Sequence, residues 1–524
     1  MAYGAITAGV KMVTSYPGSP SSGTVQTLIE RADKHDYYVE WSTNEKVAME
    51  MGIGASIAGR RALVCTKSVG LNVMIDPLMA LNLTPVHGGL VILLGDDPGC
   101  YASQNDQDSR SLAPFLEMPM IEPSTPGEGY VMMLEAFEAS EKMNTAIFIR
   151  ETRSFTQQIE AIKVEDKNQD SNLGFTRESH RFVPVPMNVV EKHRELHQRI
   201  KKFTKWVNEM PYNRISGSGS KGIIGVGFAY QKLQDVVGVD LTGDFRILKL
   251  SALFPLPDQI IIQFLKDCEE VMIIEENEPY VETHIKEIAY DNSCQAKIYG
   301  KRSHHISWEG ELFRWQIQET LTRFIPDLKP GKEYKPENEF KERPKTKSNC
   351  MNCRYDEFLD YLDEVAKSLD QKPIIVGDPG CLVTVSHRID AKYAMGSAVA
   401  VADGIQKAGV DERVIALFGD SSFFHTTLPA ICNASVNQSN ILIIVLDNKS
   451  TLTSGHQPNP GVGQNAKGQV AKVLNMEGIA KACGVENFFS VDLDSTDLEI
   501  KKGIETALTC KGLAMLVVHI SANP

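Results

Sequence analysis

The chain has 524 residues, 42% hydrophobic and 23% charged, with a formal net charge of −13. That length allows three or four domains, and the acidic balance argues against nucleic acid as a partner, because phosphate binding needs a basic surface. No apolar run reaches membrane-spanning length, and no charged stretch with an apolar h-region follows Met1, so a cytoplasmic protein is expected.

The first 165 residues read as one α/β unit. A helix is expected over 2–9, then a strand over 11–16 ending in the turn Pro17-Gly-Ser-Pro20. A strand over 38–41 leads into Ser42-Thr-Asn-Glu45, and a helix rich in small residues follows over 48–59. A strand over 61–66 runs into a turn at 67–70, and another over 89–94 ends in Gly95-Asp-Asp-Pro-Gly99. Strands alternating with helices imply a doubly wound parallel sheet with ligands at the strand carboxyl ends.

Residues 166–220 read as a polar linker carrying a charged helix over 190–209, and Ser216-Gly-Ser-Gly-Ser-Lys221 reads as a flexible hinge. An α/β pattern resumes over 221–330, with strands at 222–227, 246–250 and 271–276. A second linker, rich in Pro, Lys and Glu, covers 331–349. Residues 350–524 form the last α/β unit. Its strand over 373–377 runs into Asp378-Pro-Gly-Cys381, and a small-residue helix lies over 396–408.

That last unit holds the most informative stretch. Val414-Ile-Ala-Leu-Phe-Gly-Asp420 and Asn440-Ile-Leu-Ile-Ile-Val-Leu-Asp-Asn448 are apolar runs that end in a carboxylate or an amide. Such runs read as buried parallel strands, with a helix between them over 425–438. Between Gly419-Asp420-Ser421 and Asn448 lie 26 residues, 422 to 447. This is the spacing of the diphosphate-binding motif of thiamine-diphosphate enzymes, in which a hard cation collects oxygen ligands at two strand ends. The cofactor's pyrimidine needs a carboxylate against its ring nitrogen. Glu45, just after a strand and just before a Gly/Ala helix, is the candidate. Local rules alone explain Glu45 equally well as a helix-start carboxylate; Asp420 and Asn448 could also cap strand-to-helix turns, but their spacing and their apolar strands favour the cation site.

Ten Cys without a secretory signal point away from disulfides. Cys65, Cys268, Cys294, Cys432, Cys483 and Cys510 fall in apolar or helical contexts and are expected to be buried. Cys350-Met-Asn-Cys353 sits in a polar, basic segment and stays open to three readings: an iron–sulfur cluster, free thiols, or zinc.

Eight stretches carry a family resemblance. They are Tyr16-Pro-Gly-Ser-Pro-Ser21, Trp41-Ser-Thr-Asn-Glu-Lys-Val-Ala48, Gly54-Ala-Ser-Ile-Ala-Gly59, Gly70-Leu-Asn-Val73, Ser103-Gln-Asn-Asp-Gln-Asp-Ser-Arg110, Gly377-Asp-Pro-Gly-Cys381, Met395-Gly-Ser397 and Ser454-Gly-His-Gln-Pro-Asn-Pro-Gly461. In these the chain resembles the large (α) subunits of indolepyruvate:ferredoxin oxidoreductase, within the 2-oxoacid:ferredoxin oxidoreductase superfamily. The resemblance implies a multidomain thiamine-diphosphate-binding α/β fold of doubly wound parallel sheets. The pyrimidine-type domain would be 1–165, a transketolase-C-terminal-like domain 221–330, and the diphosphate-type domain 350–524.

Carried over by position, the resemblance implies Glu45 as the cofactor-activating carboxylate and Ser19 as the hydroxyl that meets the 2-oxoacid, with Gly18 beside it. Arg110 would hold the substrate carboxylate, a bidentate task suited to guanidinium, unless it is a salt-bridge residue. Asp420, Asn448 and the Ser450 carbonyl would hold Mg²⁺. Gly419, Ser421, Gly380, Cys381, Gly396 and the loop Gly455, His456, Gln457 would flank the cofactor, with His456 a hydrogen-bonding residue rather than a base. Cys350, Cys353 and Cys381 match three ligands of a proximal [4Fe-4S] cluster, while the fourth position falls near Asn523, where there is no Cys.

The implied reaction is oxidative decarboxylation of an aryl-pyruvate-like 2-oxoacid with acyl transfer to coenzyme A. The family's ferredoxin-like end domain and its segment before the first helix are not matched. The expected partners are therefore a small γ-type (β) subunit and an electron carrier such as ferredoxin, in a hetero-oligomer with a dimeric core. Two other functions compete: a non-redox thiamine enzyme (a 2-oxoacid decarboxylase or ligase), and a non-catalytic assembly subunit. The basic residues Lys341, Arg343, Lys345, Lys347 and Arg354 read as a solvated linker or as a dock for an acidic carrier.

Overall fold

The computed structural model describes residues 1–165, 172–238, 245–328, 330–336 and 354–521. The chain divides into two compact units, Met1–Pro344 and Lys345–Pro524. In the first unit the strands are β1 (Met12–Ser15), β2 (Tyr38–Trp41), β3 (Ala62–Lys67), β4 (Leu90–Asp96), β5 (Met120–Ile121), β6 (Ile147–Thr152), β7 (Arg214–Gly217), β8 (Lys221–Val226), β9 (Phe245–Leu250), β10 (Ala252–Phe254), β11 (Glu270–Ile274) and β12 (Lys297–Tyr299). In the second they are β13 (Ile374–Gly377), β14 (Ala391–Lys392), β15 (Val414–Gly419), β16 (Ile441–Asp447), β17 (Asn487–Asp492) and β18 (Ala514–His519).

The first unit holds a seven-stranded sheet, β10-β5-β6-β4-β3-β1-β2, and a five-stranded sheet, β12-β11-β8-β9-β7. All their pairings are parallel except β10 with β5 and β7 with β9. The protein is thus an α/β fold with helices over parallel-rich sheets. Every residue of β4 is buried, as expected for a central parallel strand covered on both faces. Alternate residues feed two cores. Val64, Leu90 and Ile92 pack with Ala48, Met49 and Leu71 on one face, and Leu63, Val91 and Leu93 with Ala5, Met133 and Phe137 on the other.

The second unit is one parallel sheet, β14-β13-β15-β16-β18-β17. Its central strands β15 and β16 alternate in the same way. Ile415, Leu417, Leu442 and Ile444 serve one core, and Val414, Ala416, Ile441 and Ile443 the other. No helix among the described residues is long and apolar enough to cross a membrane.

Four local expectations change. The turn at 67–70 is the start of a helix, Ser68–Leu83, because the Gly-Leu-Asn-Val run continues an apolar stripe that buries Leu71, Met74 and Leu78. The hinge at 216–221 is built into the second sheet, since β7 pairs with β9 up to Gly217 and β8 begins at Lys221. Gly and Ser here make the turn between two strands rather than a free tether. The segment 221–330 also lends one strand to the first sheet, where β10 pairs with β5. The helix expected over 425–438 starts earlier, running Asp420–Ser422, then a π-helical turn Phe423–Thr427, then Leu428–Val436.

The cysteines divide differently from the composition-based expectation. Cys65 and Cys268 are buried, but Cys432 is exposed and Cys294, Cys483 and Cys510 are only partly covered. The last four lie at helix faces or ends near the surface, so an apolar neighbourhood in sequence did not translate into depth. All eight cysteines among the described residues are free thiols.

Candidate active site

In the first unit the site residues gather at the carboxyl edge of the seven-stranded sheet. After β2 the chain enters the helix Glu45–Ile57, whose first turn is capped by Asn44; its side-chain oxygen accepts from Val47 N at 2.9 Å. Glu45 is therefore the first helical residue, with its carboxylate at the positive end of the helix. It is buried, at 6% exposure. Its side chain lies against Gly70 in the first turn of the helix Ser68–Leu83.

The Gly18–Pro20 turn follows β1 and is tied to the helix Ser22–Arg31. Gly18 N donates to Ser22 Oγ at 2.8 Å, and Ser21 Oγ donates to the Gly18 carbonyl at 3.0 Å. Gly18 faces the Lys67 side chain at the end of β3, and Pro20 faces Gly95 near the end of β4. Ser19 sits in this turn, half-buried. The fold thus brings Glu45, Gly18 and Ser19 to one sheet edge from the ends of two neighbouring strands, β2 and β1.

Arg110 stands apart from its expected role. Its side chain is fully buried. Nε and Nη2 grip the Asp108 carboxylate at 3.0 and 2.6 Å, Nη1 donates to Glu275 Oε2 at 2.7 Å, and Nη2 also donates to the Glu278 carbonyl at 2.7 Å. Burial works to raise the Asp108 carboxyl, but the Arg110 guanidinium outweighs it and holds that carboxyl down at about 2. The substrate-carboxylate role is corrected: these donors clamp the loop after β4 to the residue that follows β11. The salt-bridge alternative is the one realised, in the interior rather than at the surface.

In the second unit β15 and β16 run in register, with Gly419 opposite Leu446. Asp420 and Asp447 therefore come next to each other at the strand ends, with Asn448 one residue on. Asp420 is 2% exposed. Its Oδ2 accepts from Asn459 Nδ2 at 2.7 Å and its Oδ1 from Ser421 N at 2.9 Å. Burial pushes the Asp420 carboxyl up to about 7, and the Asn459 amide offsets only part of this. A buried carboxylate so poorly compensated is a site suited to a cation.

Asn448 Oδ1 accepts from Ser450 N at 3.1 Å, and its Nδ2 donates to Tyr355 Oη at 3.1 Å and approaches Cys381 Sγ at 4.0 Å. Oxygen donors on Asp420, Asn448 and the Ser450 backbone suit a small hard cation. The Asp447 carboxylate is otherwise engaged, by His519 Nδ1 at 3.1 Å and Lys449 Nζ at 2.5 Å.

The neighbouring backbone is fixed by Asp378, which sequence reasoning quoted but gave no role. Its two oxygens accept from Gly396 N at 2.7 Å and Ala398 N at 2.9 Å. Gly396 has φ +84°, and a Cβ there would collide with the Thr426 hydroxyl, so only glycine fits. The loop of Gly455, His456 and Gln457 folds back on Thr451: His456 N donates to the Thr451 carbonyl at 3.1 Å, and Thr451 N to the Gln457 carbonyl at 3.0 Å. Thr451 Oγ1 lies 2.9 Å from Ser421 Oγ, which joins this loop to the Gly419–Ser421 turn. Gln457 Oε1 is buried and finds no partner among the described residues, a polar atom that a ligand would satisfy.

Gly380 precedes Cys381, which opens the short helix Cys381–Arg388. Cys350 and Cys353 lie outside the described residues, as do Lys341, Arg343, Lys345 and Lys347. Arg354 is bound to Glu357, Asp494 and the Leu493 carbonyl, so it pins a helix end rather than offering a docking charge. Asn459 and Tyr355 were missed as site residues. Asn459 had a weak signal in the Pro-Asn-Pro turn; Tyr355 had none, since its contact with Asn448 spans 93 positions.

Three family models match the chain. Residues 3–212 match the family described as "Pyruvate flavodoxin/ferredoxin oxidoreductase, thiamine diP-bdg". Residues 230–322 match "Indolepyruvate oxidoreductase domain", and 382–518 match "Thiamine pyrophosphate enzyme, C-terminal TPP binding domain". Indolepyruvate oxidoreductase subunit IorA of Pyrococcus abyssi is 34% identical over 98% of this chain and 83% of its own length. The Pyrococcus horikoshii protein of the same name is 32% identical, with the same coverage. Among solved structures, 2-oxoglutarate:ferredoxin oxidoreductase from Magnetococcus marinus aligns over 62% of this chain and 63% of that one, at 14% identity and a TM-score of 0.48.

Proposed function

The chain belongs to the family of indolepyruvate oxidoreductase subunit IorA, as a 2-oxoacid:ferredoxin oxidoreductase catalytic subunit with thiamine-diphosphate-binding domains, and on that premise we propose an aryl-substituted 2-oxoacid as substrate and coenzyme A as acyl acceptor. Asp420 carries the reading. It is a buried strand-end carboxylate whose charge is poorly compensated by protein groups, beside an Asn448 amide with an oxygen to offer. Asp420, Asn448 and the Ser450 carbonyl would hold Mg²⁺, and the cation would bind the cofactor's diphosphate. Thiamine diphosphate, when bound, supplies a carbon nucleophile that can hold the electron pair left by CO₂.

The chain's own part is positioning and proton control. Glu45 holds a proton at the pyrimidine ring nitrogen. The Ser19 hydroxyl donates to the 2-oxo oxygen, where negative charge grows during attack. In the second unit Gly380, Gly396, Gly419, Ser421, Gly455, His456 and Gln457 would flank the diphosphate, and in the first unit Gly18 would flank the pyrimidine. Asp378 keeps the backbone at Gly396 in place. Cys350, Cys353 and Cys381 would hold a [4Fe-4S] cluster, which would supply one-electron chemistry. Soft thiolates suit such a cluster, and Cys381 Sγ sits 4.0 Å from the Asn448 amide. A fourth ligand would come from a non-Cys group or a partner. A small γ-type subunit and a ferredoxin-like carrier would complete a cytoplasmic hetero-oligomer.

The test is an anaerobic visible spectrum of the purified complex before and after a panel of 2-oxoacids with coenzyme A. Bleaching of the broad Fe–S absorption by aryl-pyruvates is the expected result. Intact thiamine binding with no iron or sulfide in the protein would instead favour the non-redox decarboxylase or ligase reading.

A further inference from the structure

Away from the active-site edge, the helix Val189–Glu209 crosses the first unit. Its inner face buries Leu196, Phe203 and Val207, and Arg199 Nη2 donates to the Asn82 carbonyl at 2.5 Å. His193 and His197 are one turn apart on this helix, so their rings share a side; the ring centroids are 4.4 Å apart. Both face Glu117, the residue after the helix Leu112–Leu116. His193 Nε2 lies 2.6 Å from Glu117 Oε2, and His197 Nε2 lies 2.9 Å from Oε1. One ligand atom from each of the three residues falls within 4.8 Å of the other two.

From this geometry we infer that Glu117, His193 and His197 form a binding site for a late first-row divalent metal, Zn²⁺ by chemistry. Two imidazole nitrogens at i and i+4 aim at one point, and a carboxylate approaches it from a different element. Imidazole nitrogen selects zinc and its neighbours over Mg²⁺ or Ca²⁺, which take oxygen ligands. Three protein ligands leave one tetrahedral position for water. Without metal, the single carboxylate accepts from both imidazoles through the same Nε2 atoms that would ligate. Metal binding therefore moves each ring proton to Nδ1. The side chains of His193, His197 and Glu117 are 46%, 57% and 28% exposed, so ions reach the site without any opening of the fold.

The site joins positions 76 and 80 residues apart. A metal there pins the helix Val189–Glu209 to the turn after Leu112–Leu116 and shortens the loop left free in the unfolded chain. It lies outside the thiamine site and is independent of the reading given above.

The test compares the wild-type complex with His193→Ala/His197→Ala and Glu117→Ala complexes, each freed of metal, and so of cofactor, with a chelator. Zn²⁺ is titrated against a chromophoric indicator, and Co²⁺ is added separately to read its visible d–d bands. Wild type should take up one equivalent more than the double variant and show tetrahedral Co²⁺ bands that the variant lacks. Glu117→Ala should bind roughly 10–100-fold more weakly. Zn²⁺ should raise the melting temperature of wild type and not that of the double variant. Both histidines are surface residues, so the variants are expected to fold, and circular dichroism verifies it. Equal zinc uptake by wild type and double variant, or no Co²⁺ bands in wild type, would overturn the assignment.

Discussion

Gly70 leaves the space that the Glu45 side chain fills: a Cβ at position 70 would stand 2.6 Å from Glu45 Oε1 and 2.7 Å from Glu45 Cγ. Neither helix can retreat, because Leu71 and Met74 on one and Ala48 and Met49 on the other are buried in the same core. A methyl group here must therefore turn the carboxylate away. Gly70→Ala is predicted to fold with near-native circular dichroism yet lose about 100-fold in turnover, the order expected when a reacting group is displaced by about 1 Å. Steady-state kinetics with saturating cofactor checks this. A variant with unchanged turnover would mean that Glu45 does not act from this position.

Arg110 should matter for stability and not for substrate affinity. Replacing it by Lys keeps the charge but loses the two-point grip on Asp108 and one of the contacts to Glu275 or Glu278. Arg110→Lys is expected to cost about 1.5–3 kcal/mol, the scale of a charged hydrogen bond, in a denaturant titration. The KM for the 2-oxoacid should stay unchanged in the folded enzyme. A KM rise without loss of stability would restore the substrate-binding role.

Asn459 is predicted to be a positioning residue for the cation site. Its Nδ2 donates to Asp420 Oδ2 at 2.7 Å, and its Oδ1 accepts from Gly461 N at 2.9 Å. Asn459→Ala should weaken thiamine diphosphate binding about tenfold, within the range seen when a residue orienting a metal ligand is removed. Asp420→Ala should abolish binding. Removing divalent cations with a chelator should release the cofactor from wild type. Isothermal titration calorimetry with thiamine diphosphate, with and without Mg²⁺, measures all three.

Glu151 provides a pH-dependent test of the interior. It lies in β6 at 1% exposure, and its Oε1 has no hydrogen-bond partner among the described residues. Burial pushes its carboxyl up to about 7, above its unfolded value, so the native state holds the proton more tightly. The stability this adds is fully present below the unfolded value of about 4.3 and is lost as pH rises through about 7. Glu151→Gln removes the titration. It should stabilise the protein at pH 8 by about 3–4 kcal/mol, on the scale of 1.36 kcal/mol per pKa unit, and change little at pH 4. Urea midpoints at the two pH values measure it; a gain of equal size at both would contradict the assignment.

The strands ending at Gly419 and Asp447 were legible in the residues, because a buried parallel strand announces itself as an unbroken apolar run bounded by polar groups. The Asp420/Asn448 pair was legible for the same reason, while the Gly18–Ser19 turn and Glu45 were legible only as residues after shorter, partly polar strands, β1 and the edge strand β2. Where a residue's role depended on depth, the pattern misled. Arg110 sits in a polar stretch that reads as surface, and only the packing of the second sheet against the loop after β4 buried it. Glu275 lies 165 residues away, and nothing local encodes that distance. Residues 67–70 looked like a turn because Lys, Ser and Gly are turn formers, but the buried stripe through Leu71 outweighed their preference. Periodicity and strand-end chemistry are short-range and determine where a cofactor's ligands can stand. The fit of Gly70 to Glu45, the clamp on Arg110 and the meeting of His193, His197 and Glu117 are long-range. They were decided only when distant segments shared one core.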